Sequence, residues 1–177
     1  MLPPVYLRPP LVRANLVQDG EQNFVDDSGS SRGISNELDR DRLLLLRALS
    51  DVVVTDGETA RRENYRIPST TDLAVITKLG YQPPASTSEH RYIELKLDPS
   101  EAIVSLLNSG YRRILLEVGP NILRELVQAK LVDELCLTIS GRGVPALKLL
   151  GIEAATLSYQ EVVQDTTFTV WREIRAL

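Results

Sequence analysis

The sequence predicts an α/β fold built on a mixed sheet, with parallel crossovers in the body and an antiparallel hairpin at the end. Three observations carry this. Ile114–Val118 is a short apolar run, Asn121–Lys130 an amphipathic helical pattern and Val132–Ile139 a second apolar run, which together make a β-α-β unit. The β-branched stretches Asp51–Thr55 and Leu73–Thr77 are too short for helices and apolar enough for buried strands. Leu157–Val163 and Thr167–Ile174 look like two antiparallel strands joined by Gln164-Asp165.

The elements follow in order. Leu11–Val17 is the first strand, punctuated by the turn Gln18-Asp19-Gly20-Glu21. The Ser-, Gly- and Asp-rich stretch from Asp26 to Ser35 reads as a loop, either a linker or a ligand-facing surface. Asn36 is a good N-cap for a helix reaching about Ser50, with Leu38, Leu45, Leu46 and Leu49 inward and Asp39, Arg40, Asp41 and Arg42 outward. After the strand at 51–55, Gly57–Arg66 is a turn with about one helical turn in it. Ile67–Thr71 and Tyr81–Thr87 are loops, and Arg91–Leu97 alternates as a half-exposed strand. Asp98-Pro99-Ser100-Glu101 opens a helix whose acidic first turn suits the helix dipole, whose stripe is Ala102, Ile103, Leu106 and Leu107, and whose end is Gly110. The chain as a whole, 1–177, reads as a single domain with 1–10 as an extended tail.

Composition narrows the function. A net charge of −4 gives no reason to expect nucleic acid or an anionic membrane as a partner. No apolar run reaches membrane-spanning length, and Met1–Tyr6 lacks the basic-then-apolar layout of a signal peptide, so the expected location is cytoplasmic. Cys136 is the only cysteine and reads as a small buried thiol. His90 is the only histidine and sits in a polar run, so a transition-metal site is not expected.

The chemistry concentrates where the strand at 114–118 meets its helix. A helix start presents unpaired N–H groups and a partial positive charge, which suits a phosphate. Gly119 permits close backbone approach, and Pro120 fits the first helical turn because its missing N–H is not needed there. Glu117 stands at the same mouth, so phosphate site, carboxylate and crevice together suit a nucleotide-using enzyme. An ordinary strand-to-helix turn is the alternative for these residues taken alone.

A wider set of motifs occurs in order: Asp19-Gly20, the Gly29–Ser35 loop, Leu45–Ala48 followed by Asp51–Val54, Thr59–Tyr65, Glu117–Pro120 and Leu131–Leu135. The set resembles the reductase domain of bacterial riboflavin biosynthesis, the C-terminal half of the bifunctional deaminase-reductase, over about Leu11 to Trp171. The resemblance implies a dihydrofolate-reductase-like three-layer fold with helices flanking the sheet, a homodimer, and NADPH-dependent reduction of a ribosylaminopyrimidine phosphate to its ribitylamino product. It also implies roles. Gly119, Pro120, Asn121 and Ile122 match the loop that cradles cofactor phosphate; Thr59 and Glu63 match positions touching NADPH, and Asn15 lies on a strand facing it. Ser31, Arg47 and Glu117 match substrate contacts, Arg47 having a donor fork suited to phosphate. Glu63 is the expected catalytic carboxylate, with Glu117 as the other group able to stabilise an open-chain imine or relay a proton.

The chain departs from the family pattern at three glycines, where it has Asp56, Glu58 and Val118. Two added carboxylates would repel a pyrophosphate by about 1 kcal/mol each when partly solvated. This favours an alternative, a non-catalytic dimeric ligand-binding relative that has lost the cofactor site. A reductase of another pteridine- or folate-like heterocycle is a third reading. The stretch from Thr77 to Asp98 leaves little room for a helix the family often has there.

Overall fold

The buried strands owe their apolar, β-branched composition to being covered on both faces. The computed structural model describes residues 12–177, so the expected tail at 1–10 and the strand start at Leu11 lie outside the described residues. In chain order the elements are β1 (Val12–Asp19), α1 (Glu37–Ala48), β2 (Val52–Asp56), α2 (Gly57–Arg62), β3 (Asp72–Ile76), β4 (Tyr92–Leu95), α3 (Pro99–Asn108), β5 (Ile114–Leu116), α4 (Pro120–Gln128), β6 (Glu134–Ser140), β7 (Ile152–Val163) and β8 (Thr166–Ala176). Short 3-10 turns lie at Ser31–Gly33 and Leu147–Leu150.

One eight-stranded sheet runs β4-β3-β2-β5-β1-β6-β8-β7. The pairings from β4 through β6 are parallel, and β8 pairs antiparallel with both β6 and β7. Strand alternation sends Val52, Val54, Ile114 and Leu116 to one face, where Ile103 and Leu106 of α3 and Leu123 and Leu126 of α4 cover them. Val53, Leu73, Val75 and Leu115 point the other way, against Leu46 of α1, Ala60 of α2 and Tyr65. Register across the β1–β6–β8 junction is fixed by charge: Arg13, Glu134 and Arg172 are aligned neighbours, and Glu134, fully buried, lies 2.6 Å from each guanidinium. A one-residue slip would carry Glu134 into the apolar layer opposite.

Two features differ from the sequence pattern. β7 and β8 are longer than the alternating stretches, reaching back to Ile152 and on to Ala176. In α1 the polar quartet does not all face out. Asp39 is buried, Arg42 stacks 4.1 Å from the centre of the Phe168 ring and pairs with Glu161 at 2.9 Å, while Leu45 is half exposed. Asp39 stands seven residues before Leu46, two helical turns along the same face, so burial of Leu46 takes Asp39 with it. Between Thr77 and β4 there is no helix, as the short spacing anticipated.

Candidate active-site cleft

β1, β2 and β5 run parallel, and their carboxyl ends open at one mouth, where β1 and β2 separate around β5. Such an edge is where open parallel sheets take ligands. A cleft of about 910 Å³ lies there, walled by α1 on one side and by α2 and the segment following it on the other. Asn15, Ser31, Arg47, Thr59, Glu63, Glu117, Gly119 and Pro120 all line it, as does Val118. Asn121 and Ile122 do not; they lie one step up α4, with Ile122 packed against the core. Five arginines (Arg32, Arg40, Arg47, Arg62, Arg66) face three acids (Asp39, Glu63, Glu117) around the wall, so the cleft favours an anionic ligand.

At the mouth, α4 begins at Pro120 with Gly119 as its cap residue and no side chain capping it. Gly119 has φ −64°, a backbone any residue adopts, and a Cβ built there would meet nothing within 4 Å. Neither turn geometry nor internal packing therefore demands a glycine. The open space stands at a helix start, whose first N–H groups have no intrahelical partner.

The two acids that replace family glycines are not cleft-lining. Asp56 turns its carboxylate into the start of α2, accepting from the N–H groups of Glu58 at 3.0 Å and Thr59 at 2.9 Å and from the Thr59 hydroxyl at 2.7 Å. It also reaches the Gly119 N–H at 3.3 Å. Glu58 points outward and pairs with Arg62 at 2.6 Å. The repulsion expected of both is thus confined to Asp56, whose charge stands beside the Gly119 corner. Val118 is buried in the apolar layer under α4.

Glu63 is held by the loop before α1. Its Oε1 accepts from Ser30 Oγ at 2.7 Å and the Ser31 N–H at 3.2 Å, and its Oε2 pairs with Arg32 Nε at 2.7 Å. Ser31 therefore meets the cleft through a segment that Glu63 fastens. Gly29 continues that segment, its carbonyl accepting from Arg62 at 2.8 Å.

Deeper in, Arg47, Tyr65 and Glu117 close into one network. Arg47 Nε and Nη2 donate to the two Glu117 oxygens at 2.8 and 2.7 Å, a bidentate fork. Arg47 Nη2 also donates to the Tyr65 hydroxyl at 2.6 Å, and that hydroxyl donates to Glu117. Burial alone would loosen the Arg47 proton, but Glu117 outweighs it and the guanidinium is held charged more firmly than usual. Burial first, and then the Glu117 charge, push the Tyr65 phenol well above its ordinary value. The donor fork that the sequence offered to a phosphate is thus filled by Glu117. Arg66, with no ion pair among the described residues, is a remaining cation of the wall.

Tyr65 and Asp39 were not singled out from the sequence. Tyr65 sits at the end of the Thr59–Tyr65 motif, which was its only signal; the Asp39–Leu46 spacing was the signal for the other. Burial raises the Asp39 carboxyl above the usual range, its hydrogen bonds with Ser35 and Thr138 pull the other way, and the nearby Glu117 charge adds to the rise. Cys136 is buried on the sheet face beneath α1, its thiol pushed up by burial, and is not a cleft residue. Among the described residues no cluster of His, Cys, Asp or Glu could hold a metal, and no helix is long and apolar enough to cross a membrane.

The profile of the RibD C-terminal domain matches residues 68–165, more than half of the chain. The match includes the Glu117–Ile122 corner but not the cleft residues from Asn15 to Arg66. The fold is shared with a pyrimidine reductase-like protein from Corynebacterium diphtheriae, at 20% identity and a TM-score of 0.74 over 98% of this chain and 95% of that one. Acinetobacter baumannii RibD aligns at 15% identity and a TM-score of 0.71, over 93% of this chain and 58% of that longer one. A dihydrofolate reductase from Enterococcus faecalis, complexed with NADP(H), aligns at 12% identity and a TM-score of 0.56 over 92% and 95% of the two chains. No curated protein matches the chain in sequence.

Proposed function

The chain belongs to the RibD C-terminal domain family, and from that membership we propose that it is an NADPH-dependent reductase resembling 5-amino-6-(5-phosphoribosylamino)uracil reductase of riboflavin biosynthesis. The observation that carries the reading is the uncapped start of α4 at Gly119, open to solvent at the mouth of a cleft rich in arginine. NADPH, when bound, supplies the hydride.

The chain's residues do the rest. Gly119, Pro120 and the N–H groups of Asn121 and Ile122 receive the cofactor's phosphates, while Asn15 and Thr59 flank it along the mouth. Ser31 meets the substrate from the loop that Glu63 tethers. Arg47 and Glu117 stand at the inner end, where a rigid, water-poor pair stabilises charge developing on an open-chain imine better than solvent would. Because the Arg47 fork is occupied, the substrate's phosphate falls to Arg66 and Arg40, which line the wall and make no ion pair among the described residues. Glu63, whose oxygens already accept from Ser30, Ser31 and Arg32, enters the reaction as a proton carrier only if substrate displaces that tether. The protein is read as a cytoplasmic homodimer acting on a small molecule, as family membership implies; light scattering in solution tests the dimer.

The direct test supplies 5-amino-6-(5-phosphoribosylamino)uracil with NADPH and follows loss of the reduced cofactor. Turnover supports the reading. Saturable NADPH binding without turnover moves the assignment to another pteridine- or folate-like heterocycle. Asp56 favours the second reading, a non-catalytic relative, because its carboxylate already occupies the Gly119 N–H. That reading requires that neither NADPH nor NADH binds.

A further inference from the structure

The far wall of the cleft, residues 64–70, is coil and carries Tyr65 and Arg66. Among the described residues, 66–70 form no backbone-to-backbone hydrogen bond, so neither a ladder nor a helix fixes this wall. Two side chains from the coil between β3 and β4 grip it instead. The Tyr81 hydroxyl donates to the Tyr65 carbonyl at 2.6 Å, and the Ser88 hydroxyl donates to the Pro68 carbonyl at 2.7 Å.

Tyr81 is itself fastened to the edge of the sheet. Its N–H donates to Glu94 Oε2 at 3.2 Å, and its carbonyl accepts from the Tyr92 hydroxyl at 2.6 Å. The Tyr81 and Tyr92 rings meet edge to face, 6.5 Å between centres. Tyr92 and Glu94 belong to β4, so a continuous set of bonds runs from the edge strand through Tyr81 to the Tyr65 main chain. Tyr65 in turn closes the Arg47–Glu117 fork with its hydroxyl. A coil that merely covered the second apolar layer would need its ring carbons there, and not two hydroxyls ending on carbonyls of one wall segment.

Reacting groups keep their geometry only when neighbours lock them, and an error of about 1 Å costs up to about a hundredfold in rate. We propose that Tyr81 is a positioning residue of the cleft, which through the Tyr65 carbonyl holds the Tyr65 hydroxyl on the Arg47–Glu117 fork and Arg66 at the wall. Ser88 is the second grip on the same segment. Tyr81 does not line the cleft and acts at one remove. Its effect on turnover rests on the reductase reading; its effect on Tyr65 does not.

The test labels the full chain with 3-fluorotyrosine and follows the Tyr65 fluorine resonance, assigned by its loss in Tyr65→Phe. Tyr81→Phe deletes the hydroxyl and keeps the ring and both main-chain bonds of residue 81. Tyr111→Phe is the control, because it also deletes a bonded hydroxyl, the one donating to Asp72 at 2.7 Å at the opposite end of the sheet. The Tyr65 resonance moves or broadens in Tyr81→Phe and stays in Tyr111→Phe. With 5-amino-6-(5-phosphoribosylamino)uracil and NADPH, Tyr81→Phe lowers kcat/KM for the pyrimidine by about tenfold, the scale of one net hydrogen bond, and leaves NADPH affinity within about twofold. An unmoved Tyr65 resonance in Tyr81→Phe, an equal change in Tyr111→Phe, an equal loss of NADPH affinity, or unaltered kcat/KM beside wild-type turnover overturns the proposal. Wild type without turnover removes the reductase reading instead, and the resonance alone then decides the role of Tyr81. Should melting show Tyr81→Phe unfolded, Ser88→Ala takes its place: a moved Tyr65 resonance supports the brace, and an unmoved one overturns it.

Discussion

Replacing Arg47 by methionine keeps an apolar stem of similar length and deletes the charge. The consequence follows from burial: the Glu117 side chain is 9% exposed and that of Arg47 20%. Glu117 would then have only the Tyr65 hydroxyl to answer two lost guanidinium bonds. Orphaning one member of a buried pair costs about 3–5 kcal/mol. For a chain of this size, at about 2–4 °C per kcal/mol, the melting temperature should fall by roughly 10 °C. The double variant Arg47→Met/Glu117→Gln removes the orphaned charge and should melt higher than Arg47→Met alone, a reversal no surface pair gives. Thermal unfolding by circular dichroism at low and high salt is the assay, since a buried pair is screened little. A loss below about 1 kcal/mol, or one that vanishes in high salt, would refute the buried, rigid network on which the inner end of the cleft depends.

Three other expectations are independent of that one. Gly119→Val should cost no more than about 1 kcal/mol, valine being a poorer N-cap than glycine, while weakening NADPH by tenfold or more, read by melting and cofactor fluorescence; equal affinity would mean nothing docks against Gly119. Asp56→Ala should cost about 0.5–2 kcal/mol through the lost α2 cap, whereas Asp56→Asn should keep most of the cap and bind NADPH more tightly, because a negative charge leaves the Gly119 corner. In pH-dependent unfolding two trends oppose. At Asp51, burial works against ionisation but bonds from the Arg113 side chain and the Arg112 and Arg113 N–H groups outweigh it, so its pKa is lowered and its stabilisation is lost as pH falls. Asp39 is raised, so the folded state holds its proton longer; the part it contributes is present below the unfolded value and lost as pH rises through the folded one. Asp39→Asn should flatten the second trend and leave the first.

How much of this was legible in the sequence depends on the range over which each feature is encoded. The β5–α4 corner is local, and Gly119-Pro120 announced both the strand end and the helix start. The terminal hairpin was local too, since two alternating stretches flank a two-residue turn at Gln164-Asp165. Strand order was not. Nothing in β5 says that it lies between β1 and β2, because neighbours in a parallel sheet are chosen by crossovers many residues long. The site divides the same way. Arg47 and Glu117 each match a substrate contact in sequence, but their mutual fork, and Tyr65 closing it, arise only when three distant segments converge. Asp39 reads as outward by residue type, yet a carboxylate two turns from a core leucine is carried inward by helical phase. Asp56 and Glu58 look alike in sequence, but the backbone separates their roles, since only the first stands where it can cap α2.

On the reading proposed above, the Gly119 corner accepts the phosphates of a reduced nicotinamide cofactor. Titration of the protein with NADPH, followed by cofactor fluorescence, tests it most directly. Saturable binding below about a millimolar is expected, and it weakens in Gly119→Val. A signal that rises linearly to that concentration, or one unaltered by the substitution, would contradict it.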